Sequence, residues 1–108
     1  MATVLVVDDD ADQLDLRAMA LRGAGHTVLE AADVASAAAC DTADLVVMDL
    51  RLPTIADGLR LIASLGSRAP IIVLTGGAAE NLPVARVLRK PCRSRLLLDT
   101  IAEVLAEA

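Results

Sequence analysis

Leu45-Val46-Val47-Met48-Asp49 is a run of four apolar residues closed by a carboxylate. A continuous rather than alternating apolar run reads as a strand buried on both faces, as in a parallel sheet covered by helices. Three other segments likewise end on a reactive side chain. Val4-Leu5-Val6-Val7 stops on Asp8-Asp9-Asp10, Ile71-Ile72-Val73-Leu74 stops on Thr75, and Val87-Leu88-Arg89 stops on Lys90-Pro91. In an open parallel sheet, ligands bind outside the carboxyl ends of the strands. Carboxylates, one hydroxyl and one amine delivered to one sheet edge point to phosphate chemistry around a metal ion.

Working outward, strand signals fall at Thr3–Val7, Thr27–Glu30, Leu45–Met48, Ile71–Leu74 and Ala85–Arg89. Helical spacing fills the gaps between them. Ala11–Ala24 carries Leu14, Ala18, Leu21 and the adjacent Met19, and stops at Gly23 and Gly25. Val34–Cys40 is a short Ala-rich helix behind an Asp33 cap. Asp57–Leu65 carries Leu61, Ile62 and Leu65 and ends at Gly66. A last helix, Ser94 to Ala106, sets Leu97, Leu98, Ile101, Val104 and Leu105 on one face. Alternating strand and helix predicts an α/β fold, a doubly wound parallel sheet. One connection breaks the rhythm. Between Leu74 and Ala85 the chain opens with Gly76-Gly77 and contains Pro83. A full crossover needs about 10–12 residues including its helix, so at most a single helical turn fits there.

The bulk numbers narrow the function. A chain of 108 residues makes one domain, 1–108, and expects no effector domain. Phe, Tyr and Trp are all absent, so the core is built from Leu, Val, Ile, Met and Ala. No apolar stretch is long enough to span a membrane, and Met1-Ala2-Thr3 runs straight into a strand without a signal peptide. A net charge of −5 with no basic stripe argues against direct nucleic-acid binding. Cys40 and Cys92 lie far apart and have no metal-binding companions. They read as small thiols in a reducing cytoplasm rather than a disulfide.

In order, Val6-Val7-Asp8-Asp9, Met48-Asp49-Leu50-Arg51-Leu52-Pro53, Leu74-Thr75-Gly76 and Arg89-Lys90-Pro91 resemble the receiver domain of two-component response regulators. Gly25-His26-Thr27-Val28 entering the second strand adds to the likeness, and so does the apolar face of the last helix. The resemblance covers essentially the whole chain. It implies a flavodoxin-like sheet of order 2-1-3-4-5, with Asp8, Asp9 and Asp49 emerging at the switch point. It implies that Asp49 is the phosphoacceptor, taking a phosphoryl group from a histidine kinase or histidine phosphotransfer protein. Mg²⁺, suited to an all-oxygen site, would be held by Asp9, Asp49 and the Arg51 carbonyl, with Asp8 acting through water. Lys90 would pair with the acceptor carboxylate and then with phosphoryl oxygens, and the Thr75 hydroxyl would turn toward the new phosphate. The Lys90–Pro91 bond would be cis. Such a protein is not an enzyme beyond its own phosphorylation and dephosphorylation.

The residues also weigh on their own terms. One carboxylate of the Asp triplet is needed only as a helix cap, a role that suits Asp10; the other two are not explained that way. Lys90 is the only lysine beside nine arginines, a compact point charge where a planar fork fits less well. Departures from the family pattern are equally specific. The fourth helix is short or absent. Val87 replaces the aromatic that often stands three residues before the lysine, so threonine–aromatic coupling cannot operate. The stretch from Asp49 to Gly58 is one residue longer than usual. Arg51 stands two positions after the acceptor, where a side chain can shield the phosphate from water. A thin fourth connection leaves apolar surface that a second copy could cover in a homodimer. The alternative reading is a receiver-like interaction module that works without phosphorylation. An aspartyl phosphatase would want a second Asp where Arg51 stands.

Overall fold

The computed structural model describes residues 2–66, 68–77 and 81–107. Five strands form one parallel sheet: β1 (Thr3–Val7), β2 (Thr27–Ala31), β3 (Leu45–Asp49), β4 (Ile71–Thr75) and β5 (Arg86–Arg89). Their order is β2-β1-β3-β4-β5, as the resemblance implies. Among the described residues the helices are α1 (Ala11–Gly23), α2 (Val34–Ala38), α3 (Ile55–Leu65) and α4 (Ser94–Glu107).

The continuous apolar runs of β1, β3 and β4 are strands buried on both sides, whereas β5, at the sheet edge and interrupted by arginines, is only half-buried. Val4, Val6, Val47, Ile72 and Leu74 face α1 and α4, meeting Leu14, Leu21, Leu97 and Ile101. Leu5, Val7, Val46, Met48 and Val73 face the other way, toward Ala37 of α2 and Leu61, Ile62 and Leu65 of α3. This second face is the thinly covered one. The described residues between β4 and β5 form no helix. Leu82 and Val84 pack on the sheet there instead. The expected single helical turn falls partly on residues 78–80, outside the described residues.

Element ends moved by one or two residues. β3 and β4 extend to take in Asp49 and Thr75, because the ladder continues through the Asp49–Leu74 and Thr75–Arg89 pairs. Helix α3 starts at Ile55 rather than Asp57, since Thr54 caps it: Thr54 Oγ1 accepts the Asp57 N–H at 3.1 Å and donates to Asp57 Oδ2 at 2.7 Å. Helix α2 stops at Ala38, two residues short of the expected Cys40. Met19 is a correction: it is 68% exposed. It stands one residue beyond Ala18, and 100° of helical rotation carries it off the buried stripe. On α4, Leu97, Ile101 and Val104 are buried, and Leu98 and Leu105 pack partly against them.

Candidate functional site

The sheet topology places the reactive side chains at one edge. Asp49 ends β3 at the centre of the sheet. Asp8 leaves β1 beside it, its N–H donating to the Ala31 carbonyl at 3.2 Å. Thr75 ends β4, and its carbonyl accepts the Lys90 N–H at 2.8 Å, tying the β4 and β5 exits together. Asp8, Asp9 and Asp49 each offer a carboxylate oxygen, and the three atoms lie within 4.8 Å of one another. Asp8 is fully buried, whereas Asp9 is exposed.

Each of the two recessed carboxylates has a cation. Lys90 Nζ donates to Asp49 Oδ2 at 2.7 Å, and the Arg51 N–H approaches Asp49 Oδ1 at 3.2 Å. Arg17 of α1 pairs through Nη1 with Asp8 Oδ2, while Asp8 Oδ1 accepts the Asp10 N–H at 2.9 Å. Asp10 itself caps α1, accepting from the Asp12 and Gln13 N–H groups at 3.0 and 3.2 Å. The reading of Asp10 as the helix cap matches this geometry, and Asp8 and Asp9 are the members of the triplet that lie near Asp49. A cleft of about 370 Å³ opens above Asp49, lined by Leu50, Arg51, Ile55, Thr75, Gly76, Gly77 and Lys90. The Thr75 hydroxyl accepts the Gly77 N–H at 3.2 Å, so it holds the start of its own loop. The Lys90–Pro91 bond is cis, and so is Leu52–Pro53, which the sequence reading did not include.

Arg17 is the residue the sequence reading missed. Its signal was present: positions 14, 17, 18 and 21 make one helical stripe, and three of them are the buried Leu14, Ala18 and Leu21. A charge on a sheet-facing stripe wants a buried partner. Arg17 also faces Cys92 across a second cleft of about 630 Å³ that shares Lys90 with the first. Burial pushes the Cys92 thiol above its ordinary value against the opposing pull of Arg17. Cys40 and Cys92 are both free. No helix among the described residues is long and apolar enough to cross a membrane.

The parallel sheet with its convergent carboxylates and single amine is the architecture of a signalling receiver. Residues 4–102 match the response regulator receiver domain family, and the chain belongs to that family. A CheY-like receiver domain from Methanospirillum hungatei is 27% identical over 99% of this chain and 95% of its own, with a TM-score of 0.87. A chemotaxis response regulator of Vibrio cholerae is 27% identical over 96% of this chain and 98% of its own, at a TM-score of 0.81. A receiver domain from Clostridium thermocellum matches at 26% identity, 99% and 96% coverage and a TM-score of 0.82. Among curated proteins no significant match was found. The family is a signalling module of two-component systems rather than an enzyme class in the usual sense.

Proposed function

We propose that this receiver accepts a phosphoryl group on Asp49 from a histidine kinase or histidine phosphotransfer protein, in the cytoplasm. One observation carries the reading: Asp49 and the only lysine are ion-paired at 2.7 Å on the floor of a cleft that also holds the Thr75 hydroxyl. A carboxylate oxygen of Asp49 attacks phosphorus, the bond to the donor nitrogen breaks, and an acyl phosphate remains. Lys90 gives up its contact to the carboxylate and follows the charge onto the phosphoryl oxygens. Thr75 offers its O–H as a donor, since its bond with the Gly77 N–H uses the hydroxyl only as acceptor. Positioning and charge neutralisation are most of what this chemistry asks of a protein.

The donor set fits Mg²⁺. Three carboxylate oxygens within 4.8 Å form an all-oxygen, strongly anionic cluster with one exposed member. Asp9, Asp49 and the Arg51 carbonyl would hold the ion. Asp8, with both oxygens already bonded to Asp10 and Arg17, would act indirectly. When bound, the ion supplies charge neutralisation among the carboxylates and the incoming phosphoryl oxygens. Arg51 lines the cleft, which supports a shielding role for its side chain over the acyl phosphate.

Incubation with a small-molecule phosphodonor and Mg²⁺, read by intact mass, tests the proposal. One added phosphate is expected in the parent and none in Asp49→Asn. Failure of the parent to take up phosphate from several donors overturns it.

A further inference from the structure

Asp8 is the one fully buried carboxylate of the site, and its charge is met from within the protein. Arg17 reaches it from the sheet-facing stripe of α1, with its own side chain 13% exposed. A guanidinium is charged at every relevant pH, so this cation is permanent. Lys90 meets Asp49 in the same way. Among the described residues no cation pairs with Asp9.

We propose that Arg17 is a resident counter-cation of the acidic site, which holds Asp8 in place and sets how tightly a divalent cation binds. The inference rests on the metal-binding part of the proposed function and deepens it. Two consequences follow from charge alone. Without a metal, Arg17 relieves repulsion among carboxylates whose oxygens lie within 4.8 Å. With a metal, the same charge opposes the ion. Arg17 bonds directly to one of the clustered carboxylates, so its charge sits roughly 8 Å or less from any ion held there; unit and double charges at that range repel on the order of tenfold in binding constant. The Asp8 oxygen it holds is also withheld from the ion. Arg17 is therefore a positioning residue and a determinant of metal affinity. Among the described residues its ion pair is with Asp8, not with Asp49.

Isothermal titration calorimetry with Mg²⁺ at low ionic strength tests this on the full chain, because screening would mask the effect at high salt. Arg17→Gln keeps a hydrogen-bond donor toward Asp8 and removes the charge; Arg17→Lys keeps the charge. The Gln variant is expected to bind Mg²⁺ about tenfold more tightly than the parent, with the Lys variant nearer the parent. A folded Gln variant with the parent's affinity or weaker overturns the inference, even if its melting temperature falls. If the Gln variant does not fold, the parent decides: Arg17 side-chain nitrogen resonances should move on Mg²⁺ addition with the calorimetric midpoint, and unmoved resonances overturn the inference. Absence of Mg²⁺ binding to every variant defeats the metal reading itself. Equal binding to all defeats only the role of Arg17.

Discussion

Gly58 has almost no freedom to change. A Cβ built there would lie 1.7 Å from the Leu50 carbonyl oxygen, so α3 and the loop leaving β3 touch backbone to backbone. The obstacle is a main chain rather than a flexible side-chain end, and it cannot swing away. Gly58→Ala should cost about 3 kcal/mol or more, read by urea denaturation; near-parent stability would show that the loop can relax. The same loop presents Leu50 and Arg51 to the cleft beside Asp49 at the end of β3, so the variant should also slow phosphate uptake. At Lys90 the expectation concerns chemistry. Lys90→Met removes a charged donor from the proposed acceptor and should slow phosphorylation by a small phosphodonor about a hundredfold. An unchanged rate would remove Lys90 from the mechanism. Arg51→Ala should alter the rate of autodephosphorylation in a single-turnover decay, and an unchanged decay would end the shielding argument. Among these residues, Asp49 stood out in sequence because it closes an apolar run, and Lys90 because it is the only lysine and precedes Pro91. Arg17 was harder to find, since its meaning depends on a partner nine residues away along the chain and one layer below.

Elements here are held at their ends. Thr54 closes the first turn of α3, and Thr54→Ala should cost about 1 kcal/mol by urea denaturation. Arg68 does more than a cap. Its guanidinium donates to the Ala38 and Ser64 carbonyls at 3.2 and 2.9 Å, tying the end of α2 to the end of α3. Helix α2 has five residues, too few to be stable through its own ladder, so it depends on such fastenings. At its other end, the Ser36 N–H donates to Asp33 Oδ1 at 2.7 Å. That backbone bond holds the Asp33 carboxyl below its ordinary value of 3.8. A depressed carboxylate stabilises the fold in full above its ordinary value and loses that contribution as pH falls through the lowered one. An NMR titration of the Ser36 amide should therefore show a midpoint below 3.8, and a midpoint at or above it would contradict the cap. Helix positions could be read from apolar spacing, but their ends shifted. The α3 start was misplaced because the apolar stripe begins only at Leu61, while the Thr54 cap shows in its mutual bonds with Asp57.

At the scale of the whole molecule, an ion held as proposed by the acidic cluster at the centre of the sheet would couple its binding to folding. Mg²⁺ at a hundredfold excess over its dissociation constant should stabilise the protein by about 2.7 kcal/mol, since the unfolded chain offers no assembled site. The shift in melting temperature should be lost in Asp9→Asn, and its survival there would move the metal elsewhere. Far-UV circular dichroism is the practical probe, because a chain without Phe, Tyr or Trp has no aromatic signal. The missing aromatic also bears on output: β5 carries Val87, 37% exposed, where a receiver often has a ring. The described residues before β5 provide no helix for such a ring to work against. The sequence by itself determined the class of fold, the sheet layers and the proposed acceptor site, because buried strands announce themselves as continuous apolar runs and their ends as the polar residues that stop them. Only the tertiary structure decided which cation meets which carboxylate, where the helices start, and that Gly58 lies against Leu50. Those are contacts between segments distant in sequence. Their geometry follows from how helices settle on the sheet, which local spacing does not encode.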